Sequence, residues 1–325
     1  MKASPFKKWI LLLFCLLLLC GCGNKKEEAL QRDELLAVNG NVCSWSEAQI
    51  FILAQKAIYS ENYGEEIWAV QLPNGRFDSY IKNALLPYIE LLFLADSAAE
   101  ENGVRLSDGE RLQVERAADA YLGKLGEMGR EMTGIGREEI EDALTRYARG
   151  QIFYEQTLMD AKIEISEEEA RVMAVQMVII EERMGMATAQ EIRQKLAGGS
   201  SVNAVLSEYV GCGAKKENII RGDYGGDFDT IVFALKNEQW SPIISLNGQY
   251  YLVQCLSSYL PEETAKHKAQ MEQEERETLL QGLLDEYGNK ATLLLNPELW
   301  DAWQMEDFAD VPAVNFYEYA EVFTK

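Results

Sequence analysis

The sequence predicts a mixed α+β protein. Three observations carry that prediction: capped, amphipathic helical segments over residues 34–165, a change of texture at Ser166 into short β-rich segments, and a long charged helix from Pro261 that leads into an aromatic tail. Apolar residues make up 47% of the 325, ample for a buried core, so the formal net charge of −22 does not signal disorder.

The N-terminus reads as an export signal. Lys2, Lys7 and Lys8 form a positive start, and residues 9–19 are an apolar run interrupted only by Cys15. That run is too short to span about 30 Å of hydrocarbon, which takes about 20 helical residues. It suits the apolar core of a signal peptide followed by a small-residue cleavage site. Leu19-Cys20-Gly21-Cys22 resembles the bacterial lipobox, in which a small residue precedes a cysteine whose thiol is alkylated by a diacylglyceryl donor. Cys20 lacks that small neighbour and Cys15 lies inside the apolar run, so Cys22 is the expected lipidation site. Residues 1–21 are then the signal peptide and residues 22–33 a polar tether. The expected location is the outer face of the bacterial cytoplasmic membrane, held there by the lipid.

Residues 1–21 carry three lysines and no acid, so their removal takes the formal charge from −22 to −25. Such a balance argues against nucleic acid as a partner, because phosphates require cations. It equally disfavours polybasic docking to anionic lipid, which leaves membrane attachment to the covalent anchor. Cys43, Cys212 and Cys255 remain beside the anchor, allowing at most one internal disulfide, and no CxxC pair is present. His267 is the only histidine, in a Glu- and Lys-rich helix where it reads as a solvated surface residue. Metal sites built on histidine are thereby excluded, and acid runs such as Glu167-Glu168-Glu169 lack calcium-loop spacing. No metal and no cofactor is expected.

The elements follow in order. Residues 37–42 read as a short strand broken at Asn39-Gly40. Ser44-Trp45-Ser46-Glu47 has the capping-box form and opens a helix to about residue 60, apolar at Ile50, Phe51, Ala54, Ala57 and Ile58. A second helix runs over 77–102, a third opens at Ser107-Asp108-Gly109-Glu110, and a fourth covers 137–163. Residues 171–180 then read as a buried strand, 188–196 and 202–209 as helices, the region around Cys212 as a loop, 228–235 as helical and 249–256 as a strand. This is a small α+β domain placed among helices. The helix from Pro261 reaches about residue 284, and Trp300, Trp303, Phe308, Phe316, Tyr317 and Tyr319 follow it. So many aromatic side chains are expected to dock against the first domain rather than stand in water.

These segments together resemble the parvulin-type peptidyl-prolyl isomerases, in the layout of PrsA- and SurA-like folding factors, over nearly the whole mature chain. Val38-Asn39-Gly40 and the helices after it resemble the family's chaperone lobe. Residues 172–257 resemble the parvulin module. Its first-strand pattern A-x-H-I-L maps to Ala174-Val175-Gln176-Met177-Val178, so Gln176 stands at a histidine position. Tyr209-Val210-Gly211-Cys212 falls where the family carries an aromatic residue, Ser, then a Cys or Asp facing the substrate. Gly222-Asp223-Tyr224-Gly225 resembles its G-D-L-G turn, and residues 228–235 a motif whose two phenylalanines line and support the proline pocket. Residues 241–244 and 248–252 match the closing segments, with Tyr251 at or beside the second histidine position. The loop between Gly225 and Phe228 is shorter than in the family, and the pocket methionine has no counterpart.

The resemblance implies an extracytoplasmic folding factor that binds unfolded or newly exported polypeptides. It implies a helical chaperone lobe built from both ends of the chain (34–165 and 259–325), with an inserted parvulin-like domain at 170–258. Its substrate-groove candidates are Gln176, Cys212, Phe228 and Tyr251. Gln176 cannot titrate and Tyr251 offers only a hydroxyl, so isomerase activity is expected to be weak or lost. Two alternatives stand beside this one: a non-catalytic holdase or scaffold lipoprotein, and a solute-binding lipoprotein. The latter requires two lobes of alternating strands and helices, which the helical first domain does not supply.

Cys22→Ala is expected to abolish metabolic labelling by a fatty-acid probe and to release the protein or stall its precursor. Undiminished labelling of that variant would move the anchor to another cysteine.

Overall fold

The computed structural model describes residues 29–73 and 75–323. They divide into two compact units, one running to Ala161 and resuming at Leu279, the other Lys162–Thr278. The signal-peptide, tether and Cys22 readings fall on residues 1–33, nearly all outside the described part. In chain order the first unit begins with β1 (Glu34–Val38), β2 (Asn41–Ser44), α1 (Trp45–Tyr63), β3 (Gln71–Leu72), β4 (Gly75–Arg76), α2 (Phe77–Glu101), α3 (Asp108–Thr133) and α4 (Arg137–Ala161). The second holds β5 (Met173–Glu181), α5 (Met186–Ala197), α6 (Val202–Leu206), β6 (Cys212–Ile219), α7 (Gly226–Val232), β7 (Ile244–Leu246) and β8 (Gln249–Ser257). Helix α8 (Pro261–Gly288) follows, then β9 (Leu293–Leu295), α9 (Pro297–Ala302) and α10 (Phe316–Ala320). No helix among the described residues is long and apolar enough to cross a membrane.

Local chemistry explains the start. Asn39 and Gly40 both take positive φ, 53° and 88°, the twist a two-residue hairpin between β1 and β2 demands. The Ser44 hydroxyl accepts from the Glu47 amide at 3.0 Å and so caps α1. The return half of that capping box does not form, because the Glu47 carboxylate turns to Arg146. At α3 the box is complete: Ser107 accepts from the Glu110 amide while Glu110 accepts from Ser107. Gly134, in the left-handed region at φ 71°, ends that helix.

Helix α1 is buried on every side through its first half: Ala48, Ile50, Phe51, Ile52, Leu53 and Ala54 are all inaccessible. A helix apolar all round needs cover all round. The chain's end supplies part of it. Phe316 meets Phe51 edge-on at 5.3 Å, and Trp300, Trp303, Phe308, Phe316 and Tyr317 lie in the same core. Strand β9 pairs antiparallel with β1, making the sheet β2-β1-β9. Lys56 reaches the same tail, its ammonium donating to the carbonyls of Phe308 (2.7 Å), Ala309 (3.1 Å) and Val311 (3.0 Å). Lys82 adds a bond to the Asp301 carbonyl at 2.9 Å and lies over the Trp303 ring at 4.6 Å.

A buried ionic cluster ties α1, α2 and α4 together. Arg146 contacts Glu47 at 3.2 Å and Asp96 at 2.9 Å, with its guanidinium over the Phe93 ring at 3.7 Å. Arg149 holds Asp96 through two bonds and reaches Glu100 at 2.5 Å. Burial, only partly offset by Arg146, pushes the Glu47 carboxyl up to about 7. Burial likewise raises Asp96.

Three segments correct the sequence reading. The stretch after Cys212, expected as a loop, is the edge strand β6, and residues 293–295 form a strand the sequence analysis left unassigned. Gly, Ala, Lys, Glu and Asn dominate β6, and most of its side chains are exposed, so no alternation marks it. Polar edges of this kind protect a sheet from further pairing. The helix expected at 202–209 is shorter, ending at Leu206.

Arg146→Ala leaves Glu47 and Asp96 buried without that cation and is expected to cost about 3–5 kcal/mol at pH 8. The loss should shrink toward pH 5. The raised Glu47 carboxyl takes up its proton as pH falls through about 7, and once neutral it needs no counter-ion. Urea unfolding followed by tryptophan fluorescence at both pH values tests this; Arg137→Ala, which breaks only exposed pairs, should scarcely move the midpoint.

Candidate functional site: a ring-lined face of the second sheet

Strand order in the second unit is β6-β5-β8-β7, all neighbours antiparallel. The two-residue period of a strand sends alternate side chains of β5 to opposite faces. Met173, Val175 and Met177 join one core with α7, and Ile179 packs against it. Val178 and Ile180 join a second core with α5 and α6. The β6-β5 register is unbroken from Met173↔Ile219 to Ile180↔Cys212, so the same division extends to β6.

Phe228 is the floor of the first face, 1% exposed. The Tyr224 ring stacks on it, centroids 4.3 Å apart and planes 23° apart. Tyr251 meets Phe228 edge-on at 5.8 Å and Tyr224 at 6.1 Å. Polar contacts pin both tyrosines. The Tyr251 hydroxyl donates to Gln249 Oε1 at 2.8 Å. Lys215 Nζ donates to the Tyr224 hydroxyl at 2.7 Å, and that hydroxyl donates in turn to the Glu217 carboxylate. Lys215 and Glu217 also pair directly at 2.9 Å. Burial, with Glu217 beside it, raises the Tyr224 phenol above its ordinary value.

The turn that delivers Tyr224 is fixed by backbone geometry. Gly222 and Gly225 take φ of 98° and 95°, conformations open to glycine and strained for other residues. Asp223 Oδ2 accepts from the Ile220 amide at 2.9 Å, and Asp229 Oδ2 from the Gly222 amide at 2.6 Å. Helix α7 begins directly after and points Phe228 into the sheet.

The structure brings together two of the four residues expected at the groove. Phe228 and Tyr251 touch, while Gln176 and Cys212 do not join them. Gln176 sits opposite Lys216 and Gln254, in phase with Val178 and Ile180 and so on the other face. Cys212 lies opposite Ile180, with Sγ 3.6 Å from Met184 Sδ, packed on the second core. Burial raises its thiol pKa. From β5, the residues that face Phe228 are Val175 and Met177. A shift of one residue in matching a strand moves every side chain to the opposite face, and that accounts for the placement of Gln176. Sequence reading placed Tyr224 in a turn and gave Lys215 and Glu217 no role. The alternation Lys215-x-Glu217 carried no signal of its own because β6 was read as loop.

His267 departs from expectation as well. It is half-buried on α8, and its Nδ1 donates to the Ala170 carbonyl at 2.8 Å. Thr264 Oγ1 accepts from the Val172 amide at 3.0 Å alongside, so this pair anchors the entry to β5. Among the described residues Cys43, Cys212 and Cys255 are free thiols. Among the described residues no group of His, Cys, Asp and Glu is arranged to hold a metal ion. What the cluster offers chemically is the partly exposed Tyr224 ring over buried Phe228 and Tyr251, with two phenols and one ion pair.

No family model matches the sequence, and no curated protein matches it. Three solved structures illustrate what the fold is similar to. The peptidylprolyl isomerase PrsA of Bacillus cereus aligns with 79% of this chain and 98% of its own at 16% identity, TM-score 0.32. The foldase protein PrsA of Lactococcus lactis aligns with 88% and 98% at 13% identity, TM-score 0.33. A SurA-like chaperone of Campylobacter jejuni aligns with 82% and 99% at 11% identity, TM-score 0.31. At these TM-scores the likeness carries no argument about activity, which rests on the site itself.

Phe228→Ala removes the floor of this face and is expected to destabilise the second unit by about 3–5 kcal/mol. Gln176→Ala, a half-buried position on the opposite face, should cost much less. Amide hydrogen exchange along Met173–Glu181 reads the difference; equal loss of protection in the two variants would refute the division of faces.

Proposed function

We propose that this chain is an extracytoplasmic, lipid-anchored folding factor that binds unfolded polypeptides and whose parvulin-like unit binds rather than isomerises. The observation that carries this reading is the Phe228–Tyr224–Tyr251 cluster, a ring-lined face with no imidazole in it. Rotation about an X-Pro bond needs no nucleophile. It needs only a surface that favours the twisted amide, against a barrier of about 18–20 kcal/mol. Paired histidines would set the polarity of such a groove, and the chain's one histidine is committed to the Ala170 carbonyl instead. Phe228 lies under Tyr224, so the floor on which a proline ring would rest is covered by the protein's own side chain. The order of sequence motifs from Gly222 to Tyr251 supports membership in the parvulin group, and the lipobox at Cys22 supports placement outside the membrane.

The decisive pair of measurements is a protease-coupled proline isomerisation assay and suppression of aggregation of a chemically denatured client, both with the mature protein. Suppression is expected, with isomerisation well below that of a two-histidine parvulin. Differential binding of the twisted amide worth about 2–3 kcal/mol still permits one to two orders of magnitude over the uncatalysed rate. Robust turnover that disappears in Phe228→Ala would show a working isomerase and reject the binding-only reading; absence of suppression would reject the folding-factor reading.

A further inference from the structure

On the helical unit, a row of aromatic rings runs across the end of α1 and the start of α2. Tyr59 and Tyr63, one turn apart on α1, stack with centroids 6.1 Å apart. Tyr59 meets Phe77 edge-on at 5.1 Å, and Phe77 stacks on Tyr80 at 6.1 Å. Trp68 backs the row, 6.0 Å from Tyr59 and 5.5 Å from Phe77, its indole N–H donating to Ser60 Oγ at 2.9 Å. The inner rings are fixed by these contacts, but both ends stand open: Tyr63 is 64% exposed and Tyr80 48%. Val70, whose carbonyl accepts from the Phe77 amide at 3.0 Å, adds exposed apolar surface beside them.

Unpaired carboxylates dominate the charge around this row. Glu61, Glu65 and Glu66 flank Tyr63, all exposed and, among the described residues, none in an ion pair. The neighbouring cations are already engaged: Arg76 by Asp78 and Glu306, Lys56 by the tail carbonyls. Tyrosine faces attract cations through the ring quadrupole, and carboxylates beside them add to that attraction. Stiff tyrosines also anchor apolar side chains at low entropic cost.

We propose that this row is a docking strip for an extended, cationic polypeptide segment in which lysine or arginine alternates with apolar residues. The inference rests on the folding-factor reading and adds the chemistry of the client. The ring path from Tyr63 to Tyr80 is at most about 17 Å long, room for roughly five extended residues. Acidic segments are repelled by the same carboxylates. A second copy of this chain is a poor occupant, because its own net charge is −22.

The test uses the full mature protein and two fluorescent peptides, one alternating lysine with leucine and phenylalanine, the other with glutamate in place of each lysine. The lysine peptide should bind at least about tenfold tighter, and Tyr63→Ala with Tyr80→Ala should weaken it by about tenfold without altering net charge. Tyr63 is mostly and Tyr80 about half exposed, so the fold should survive their removal, and circular dichroism checks that. Glu61→Gln with Glu65→Gln and Glu66→Gln should erase most of the preference for lysine and most of its salt dependence. Binding unchanged in the tyrosine variant would overturn the strip, attributing affinity to diffuse charge alone. Concentration-dependent self-association lost in that variant would overturn it in favour of a dimer interface. Aggregation suppression that persists while the tyrosine variant binds normally would sink the strip and leave the folding-factor reading standing; no suppression and no peptide binding in any form would sink both.

Discussion

Helix α1 leaves the first unit little freedom, because it has no face it can show to water between Ala48 and Ala54. Sheet, helices and the returning tail share the work of covering it. The tail does so with rings packed on Phe51 and Tyr88, and with a strand added beside β1. Lys56 is the polar counterpart of that apolar contact. A lysine buried this deeply is costly unless its donors are used, and here three carbonyls at the end of a short helical turn receive them. The arrangement is directional: only a tail in this position presents carbonyls to that ammonium. Burial also lowers the Lys56 pKa, the physical sign of the desolvation that those bonds offset.

The Glu47–Arg146–Asp96–Arg149 cluster acts on helix register rather than on bulk stability. Buried ion pairs repay their desolvation only with close geometry, and apolar side chains of equal volume often serve as well. What the cluster adds is specificity. Asp96 accepts from both arginines, one turn apart on α4, and Glu47 can meet Arg146 only if α1 stands at the right height. Glu47 forgoes the second half of its capping box to do so. The helix keeps its cap through Ser44 alone.

In the second unit the controlling constraint is parity. Each residue of β5 belongs to one face or the other, and the face decides whether it meets Phe228 or the packing of α5 and α6. Tyr224 gains its place from a turn whose two glycines adopt positive φ, and keeps it through Lys215 and Glu217, two residues apart on the edge strand. An ion pair with a phenol between its members holds the ring flat on Phe228. The result is a packed ring cluster with an ion pair and two phenols at its edge and no imidazole.

Much of this was legible in the sequence for a physical reason: helix signals are local. Ser44 and Ser107 mark their own helix starts, Asn39-Gly40 marks its own turn, and the apolar rhythm of residues 77–102 needs no partner to be read. The fold class and the long helices follow from such signals; Phe228 and Tyr251 were expected at one groove only from the resemblance to the parvulin module. Edge strands and faces are not local. Strand β6 has polar side chains on both sides and exists because β5 offers it a partner, and β9 exists because β1 does. Gln176 and Met177 are one residue apart in sequence and on opposite faces in space, and only the register with β8 and β6 separates them. His267 reads as a solvated charge-helix residue until the Ala170 carbonyl is brought to 2.8 Å from it. Composition and spacing thus determined which helices form and where the chain turns; tertiary pairing decided which side chains share a surface, because that depends on a partner strand that no local pattern specifies.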